Sequence, residues 1–313
     1  MVQIVRRLSK FPAGIKMFRN GTWLLWCMAI PCVLHIILFS YVPLFGWVWA
    51  FFKYKPGVTL ERAQFLGISN FVKLFTDKNM LPVLRNTFIF AGLGLLASPL
   101  PVIFAIFISE FRSPRFQKCI QTVTTFPNFI SWIIIYSFAL SLFSVDDGLL
   151  NKILLDLGLI DERLNLLIEK NLVWFIQTGF GIWKGLGFGS IVYFAAIAGI
   201  DTELFDAASV DGAGRFQKIW YIKVPGTLPT FIVLFILSIG NILNTNFEQL
   251  YAFYNTLVDS TITTIDLYVY KIGMERGDYS MSTAVSISKT VVSIGLLTLA
   301  NLLAKKVRGE SIL

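Results

Sequence analysis

An all-α membrane protein with six transmembrane helices is the fold class this sequence predicts, on three observations. Of 313 residues, 55% are hydrophobic and only 15% charged, with a mean hydropathy of +0.68. That leaves too little polar surface to cover a soluble globule of this size. Six apolar stretches, near 22–46, 84–108, 119–143, 172–199, 228–247 and 284–304, reach the ~20 residues with which a helix crosses a bilayer. The third observation is a pattern without alternating, turn-punctuated barrel strands, whereas helices satisfy their own backbone groups in hydrocarbon.

The net charge of +8 is distributed by side, which argues against a nucleic-acid surface. Arg6, Arg7, Lys10, Lys16 and Arg19 precede the first span, and Arg112, Arg115 and Lys118 crowd the second loop. Arg215, Lys218 and Lys223 lie between the fourth and fifth spans, and Lys305, Lys306 and Arg308 follow the sixth. All four segments fall on one side of a six-span zigzag. The positive-inside rule makes that side cytoplasmic and both termini internal.

In chain order, the first span follows a basic start but runs past a signal-peptide core and lacks an A-x-A-like cleavage site, so it is expected to stay uncleaved. Cys27, Cys32, Cys119 and the lone His35 lack metal-ligand spacing and are read as packing residues. The external segment 47–81 carries Phe65, Ile68, Phe71, Val72 and Phe75 at helix-like intervals, suiting either an interfacial helix or a docking surface. The third span opens on Thr124-Thr125-Phe126-Pro127-Asn128, where proline removes a donor and leaves a carbonyl in need of a cavity or a neighbour. The second external loop, 144–170, reads as a short helical excursion, with Asp146-Asp147-Gly148 as a turn rather than a calcium site.

The fourth span carries Lys184 among Gly181, Gly185, Gly187 and Gly189. An ammonium at that depth needs a wet cavity or an acidic partner such as Glu248; alternatively the glycines break the helix and Lys184 reaches a polar gap. In the fifth span Asn241, Asn244 and Glu248, spaced i, i+3 and i+7, are expected on one helical face. Their amides and carboxylate suit sugar hydroxyls, with Phe247 and Tyr251 lying against sugar faces; interhelical hydrogen bonding is the competing reading. Asn246 and Gln249 are expected to point elsewhere and cap or cross-link helices. Lys289, in the last span, is read as snorkelling.

Between the fourth and fifth spans stands Asp206 to Pro225, DAASVDGAGRFQKIWYIKVP, polar, basic and punctuated by glycine. Leu204 to Val210 suits one short helix, Gly212 and Gly214 a sharp turn, and Arg215 to Ile222 a second helix that Pro225 ends. The spacing resembles the cytoplasmic EAA loop, E-A-A-x(3)-G-x(9)-I-x-L-P, of ABC importer permeases. Asp206, Ala207, Ala208, Gly212, Ile222 and Pro225 match it; Asp206 replaces Glu and Val224 replaces Leu, both keeping the chemistry. Asp211 and Gly214 lie within the same element.

The resemblance implies a type I ABC importer permease fold that docks through this loop onto two cytoplasmic ATPase subunits, beside a second similar permease subunit, identical or not. It also implies an extracytoplasmic solute-binding protein and a prokaryotic cell membrane. The expected boundaries are a basic N-terminus over 1–20, a transmembrane domain over 21–306 with its coupling loop at 202–226, and a cytoplasmic tail over 307–313. The chain lacks the G-x-x-x-x-G-K-[ST] loop that cradles phosphates, so ATP and Mg are expected on the partner ATPases, and no cofactor, metal or catalytic residue in this chain. Downstream, NTNFEQLYAFYNTLV and IDLYVYKIGMERGDYSMSTAVSISKTV resemble a subgroup importing oligosaccharides and polysaccharide fragments. An ion-coupled secondary carrier would show repeats and an intramembrane carboxylate site. A membrane enzyme would need clustered acids or a nucleophile–base pair, which Asp206 and Asp211 do not provide.

Overall fold

The computed structural model of this chain describes residues 22–308; the basic segment at 1–20 and the tail from 309 lie outside the described residues. α1 (Thr22–Ile36) continues through a wider turn and a 3-10 segment to Phe51. A two-residue hairpin follows, β1 (Phe52–Lys53) antiparallel to β2 (Gln64–Phe65), then α2 (Ser69–Thr76). The second crossing is α3 (Met80–Ala97) with α4 (Leu100–Ser109), and the third begins as α5 (Pro114–Thr125) and resumes as α6 (Trp132–Phe143). A short α7 (Leu149–Asp156) leads to α8 (Val173–Ala198), 26 unbroken residues. Beyond it come α9 (Thr202–Val210), α10 (Arg215–Lys218) and α11 (Val224–Gly240). Short α12 (Phe247–Ala252), α13 (Asp259–Ile262) and α14 (Ile265–Tyr270) precede α15 (Tyr279–Arg308).

Among the described residues, five helical stretches are long and apolar enough to cross a membrane: Trp23–Phe51, Met80–Ser109, Val173–Ala198, Arg215–Gly240 and Tyr279–Leu302. The sixth is a pair, Pro114–Phe129 and Trp132–Phe143, bent by 100°. The third stretch is therefore a broken span rather than a straight one. Pro127 removes a donor at the break, and the chain leaves the α5 direction through a 3-10 turn, Phe126–Phe129, before Ser131 caps α6 by accepting from the amide of Ile134.

The fifth stretch is displaced. Its helix begins at Arg215, passes through a wider turn over Ile219–Lys223 just ahead of Pro225, and ends at Gly240. Pro225 thus opens α11 instead of closing the preceding helix. Its ring would meet the carbonyl of Tyr221 in a regular α-turn, and the wider turn relieves that. At the other end Asn241 adopts a non-helical conformation, its backbone amide donating to Leu237 and Ser238 and its side-chain amide to Leu237 (3.1 Å). The last carbonyls of the helix are satisfied there.

The chain after that helix, read from sequence as span and loop, is the core of the molecule. Val258, Ile262 and Leu267 pack with Trp132 and Ile135 of α6 and Val173 of α8. Ile265, Tyr268 and Ile272 pack against Met80 and Val83 of α3. Buried polar side chains fix the same segment: Asn86 donates to the carbonyls of Ser260 (3.0 Å) and Thr263 (2.9 Å), and Thr87 accepts from the amide of Ile265 (3.0 Å). Both are fully buried, and every buried polar side-chain atom among the described residues has a partner.

Candidate functional site: the α9–α10 knuckle and the cleft in the bundle

The knuckle forms for reasons local to its sequence. Asp201 caps α9 by accepting from the amide of Glu203 (3.0 Å). At its end Gly212 takes φ +78°, its amide donates to the carbonyl of Ser209 (3.2 Å), and the amide of Ala213 donates to that of Ala208 (2.8 Å). This is the Schellman arrangement, with a left-handed residue after the helix, and glycine adopts it without penalty. Gly214, expected to share the turn, has an extended φ of −72°; its amide donates to Gln217 Oε1 (2.7 Å) at the start of α10. Lys218 ties the two arms together through Ser209 Oγ (2.5 Å).

Asp206, Ala207, Asp211, Gly212, Gly214 and Pro225 are exposed, while Ala208 and Ile222 are half-buried. Large apolar side chains project beside them, Val210 at 88% and Phe216 at 84% exposure, with Trp220 and Tyr221. Charge links the second arm of the knuckle to the end of α4. Glu110, which caps the end of α4, receives Arg215 on Oε2 and Lys223 on Oε1, and Lys223 also donates to Ser109 Oγ (2.8 Å). Burial raises the Glu110 pKa, and the bonds from Lys223 and Arg215 outweigh it, so the carboxyl is held below its ordinary range. Glu110 escaped the sequence reading. Its signal was a lone acid in a basic loop, at a helix C-terminus where anions are disfavoured.

The second feature is a cleft of about 470 Å³ between α3, α8 and the end of α11. Gln177, Ser238, Asn241, Asn244, Asn246 and Gln249 contribute its polar wall. A neighbouring hollow of about 330 Å³ shares Asn241 and Asn244 and adds Asp266, Ser286 and Lys289. Asn241 and Asn244 therefore face the polar space expected of them, but not as a stripe on one helix. The helix has ended before Asn244, whose amide donates to Asn241 Oδ1 (3.0 Å). Glu248 sits on separate α12, exposed, and lines neither hollow.

Phe247 and Tyr251 stack at 5.5 Å, and both meet Tyr270, at 5.2 and 5.0 Å. They form a ring cluster outside the cleft. Gln249 both cross-links and lines it: its amide donates to the backbone carbonyl (2.6 Å) and Oε1 (2.9 Å) of Gln177 on α8. Gln177, a polar residue within an apolar span, was detectable by the rule used for Lys184.

Two lysines have different surroundings from those expected. Lys184 donates to the carbonyls of Pro127 (3.2 Å), Asn128 (2.9 Å) and Ile130, so its three protons serve three acceptors at the break in the third span. It also lies 5.3 Å from the Trp132 ring. One turn on, a Cβ at Gly187 would lie 2.3 Å from the Thr124 carbonyl, so glycine lets α8 press against the break without interrupting its own helix. Lys184 thus holds the bend, and Glu248 acts on it only at longer range. Lys289 does not snorkel. It pairs with Asp266, whose Oδ2 accepts from the amide (3.0 Å) and hydroxyl (3.1 Å) of Thr245.

In the loop before α8 the Asp146 and Asp147 carboxylates lie 3.9 Å from Arg163 and 3.6 Å from Lys152. Among the described residues no cluster of His, Cys, Asp and Glu has the makings of a metal site.

Residues 97–309 match the family model described as binding-protein-dependent transport system inner membrane component. Protein LplB of Bacillus subtilis (strain 168) is 39% identical over 94% of this chain and 92% of that protein. The polygalacturonan/rhamnogalacturonan transport system permease protein YteP of the same strain is 36% identical over 92% of this chain and 89% of its own length. Among solved structures, a chain of a bacterial alginate ABC transporter, in complex with an alginate pentasaccharide-bound periplasmic protein, superposes with a TM-score of 0.85. It is 31% identical, over 96% of this chain and 99% of that one.

Proposed function

Because this chain belongs to the family of binding-protein-dependent transport system inner membrane components, we propose that it is the permease subunit of an ATP-driven ABC importer for oligosaccharides or polysaccharide fragments. The observation that carries this reading is the knuckle: two short helices, locked by a left-handed Gly212, present an exposed apolar and acidic surface directly ahead of a membrane-spanning helix. Mechanical work from another polypeptide enters through such an element. Asp206, Ala207, Ala208, Asp211, Gly212, Gly214, Ile222 and Pro225 form or support the docking element. An ATPase subunit docks there, two such subunits serving the pair of permeases and holding ATP and Mg, so this chain performs no covalent chemistry.

The chain lies in a prokaryotic cell membrane with the knuckle and both termini in the cytoplasm, a topology supported by the basic residues collected on that side. Its membrane domain runs over 21–306, with 202–226 as the coupling loop. A second, similar permease completes the pathway, and a binding protein delivers the solute externally. The carbohydrate assignment draws on the names of the similar proteins, which print polygalacturonan, rhamnogalacturonan and alginate. It also draws on the cleft, whose amides and hydroxyls can exchange hydrogen bonds with sugar hydroxyls.

Asn241 and Asn244 face the solute, joined by Gln177 and Gln249. Phe247, Tyr251 and Tyr270 offer a ring surface, with the exposed Glu248 carboxylate beside it. Lys184 belongs to the bend.

The test is reconstitution with the partner permease, the ATPases and the binding protein in liposomes. Uptake of labelled oligogalacturonide that requires ATP and the binding protein, and is insensitive to ionophores, supports the reading. Uptake by this chain alone, driven by an ion gradient, overturns it.

A further inference from the structure

We propose that Glu110 is a positioning residue that carries motion of the coupling knuckle into the second and third spans, a route separate from the covalent one into the fifth. The inference rests on the docking role of the knuckle. Arg215 is the first residue of α10 and Lys223 the last before α11, so the two cations bracket the second arm of the knuckle. One carboxylate receives both, a different oxygen for each, and the Glu110 backbone carbonyl accepts a further bond from Arg215 Nη2 (2.5 Å). The Glu110 and Lys223 side chains are only 16% and 12% exposed, so that half of the contact is largely shielded from water, while Arg215, at 63%, grips from the solvent side. An arm held at both ends cannot shift without pulling on the end of α4.

The segment beyond Glu110 is equally bound. Gln117 of α5 donates to the carbonyls of Phe111 (2.7 Å) and Ser109 (3.4 Å), closing the turn between α4 and α5. α5 runs directly into the 100° bend that Lys184 holds from α8. Displacement of the knuckle therefore reaches α4, α5 and the bend through one carboxylate, while Lys223 leads covalently into α11. The remaining basic residues of the second loop, Arg112, Arg115 and Lys118, make no ion pair among the described residues, so the acid rather than the loop's general charge makes the link.

The test uses the complete importer, with this chain, its partner permease and the ATPases, in liposomes, and ATP with Mg as the probe. Cys27, Cys32 and Cys119 are replaced by Ser, and spin labels placed at Phe107 on α4 and Leu299 on α15, both exposed in the isolated chain. Double electron–electron resonance is expected to show an ATP-dependent distance change that Glu110→Gln largely abolishes while ATPase binding and ATP turnover persist. Uptake per ATP should fall at least about fivefold, the low end of a typical coupling free energy. The swap Glu110→Lys with Arg215→Gln and Lys223→Glu should restore part of both signals, which a general loss of packing would not permit. An undiminished distance change in Glu110→Gln overturns the proposal. So does loss of ATPase binding in that variant, which would make Glu110 a support of the docking surface itself. Failure of the unsubstituted complex to bind ATPase would remove the docking reading, and the brace with it.

Discussion

Gly212 offers a graded test of the knuckle. Its φ of +78° lies where an L-residue with a Cβ costs about 1–2 kcal/mol. A Cβ built there meets no atom within 4 Å, so the cost is backbone strain alone. Gly212→Ala should weaken ATPase binding by up to about fivefold, and the β-branched Gly212→Val by up to about thirtyfold, as the docking-competent fraction falls. Gly212→Asn should stay near the parent, since asparagine tolerates the left-handed region. Gly212→Pro fixes φ near −65° and removes the amide that donates to Ser209, so the Schellman turn cannot form. Titration of the purified ATPase onto the permease in nanodiscs reads the order directly. Parental affinity for Gly212→Pro, or Asn as damaging as Pro, would refute the reasoning.

Lys184→Met leaves the carbonyls of Asn128 and Ile130 at the break without their donor, that of Pro127 keeping the Ile130 amide, at about 1–3 kcal/mol for each group left unsatisfied as an upper bound. The midpoint of thermal unfolding in detergent should drop clearly, and less for Lys184→Arg; an unchanged midpoint would dismiss the clamp. For the Asp266–Lys289 pair, with side chains 22% and 13% exposed, Asp266→Asn and Lys289→Met should each destabilise the fold. The double variant should recover about 1–3 kcal/mol of their sum, and strict additivity would mean that the pair is not coupled. At the Asp259–Lys271 pair, burial raises the Asp259 pKa but bonds from Lys271 and Thr263 lower it further, and the net shift is downward. Lys271 is pushed up, its bonds to Asp259 and Tyr254 outweighing burial. The Asp259 contribution is complete above the ordinary carboxylate value and disappears as pH falls through the lowered one. That of Lys271 is complete below the ordinary lysine value and disappears only as pH rises through the raised one. Hydrogen exchange over 256–275 should therefore be slow from pH 5 to 9, after correction for intrinsic rates, and accelerate progressively as pH falls below the ordinary carboxylate value; protection undiminished down to the onset of global acid unfolding would contradict the assignment.

What could be read from the sequence was what short-range chemistry encodes. The arms of the knuckle are joined by contacts two to nine residues apart, and Gly212 alone specifies its turn. Spans one, two, four and six are legible as sustained hydropathy. The bend in the third span was half visible: Pro127 marked the break, but Lys184, the donor to carbonyls at and beyond it, lies 54 to 57 residues away. The i, i+3, i+7 spacing of Asn241, Asn244 and Glu248 misled because periodicity has meaning only inside a continuous helix, and the Gly240-Asn241 pair was the overlooked stop signal. Glu110 and its cations are 105 and 113 residues apart, and Asp266 and Lys289 are 23 apart on separate helices. No local pattern records such pairings, which arise from how the helices pack.

The central claim, a cytoplasmic knuckle that seats on a separate motor, is tested most directly by thiol accessibility at Val210, 88% exposed at the end of α9. With the native cysteines replaced by Ser, Val210→Cys is treated with a membrane-impermeant maleimide in vesicles of defined orientation. Labelling is expected only when the cytoplasmic face is presented, and ATPase bound at saturation should protect the thiol. Labelling from the external face, or equal labelling with and without bound ATPase, would contradict the account.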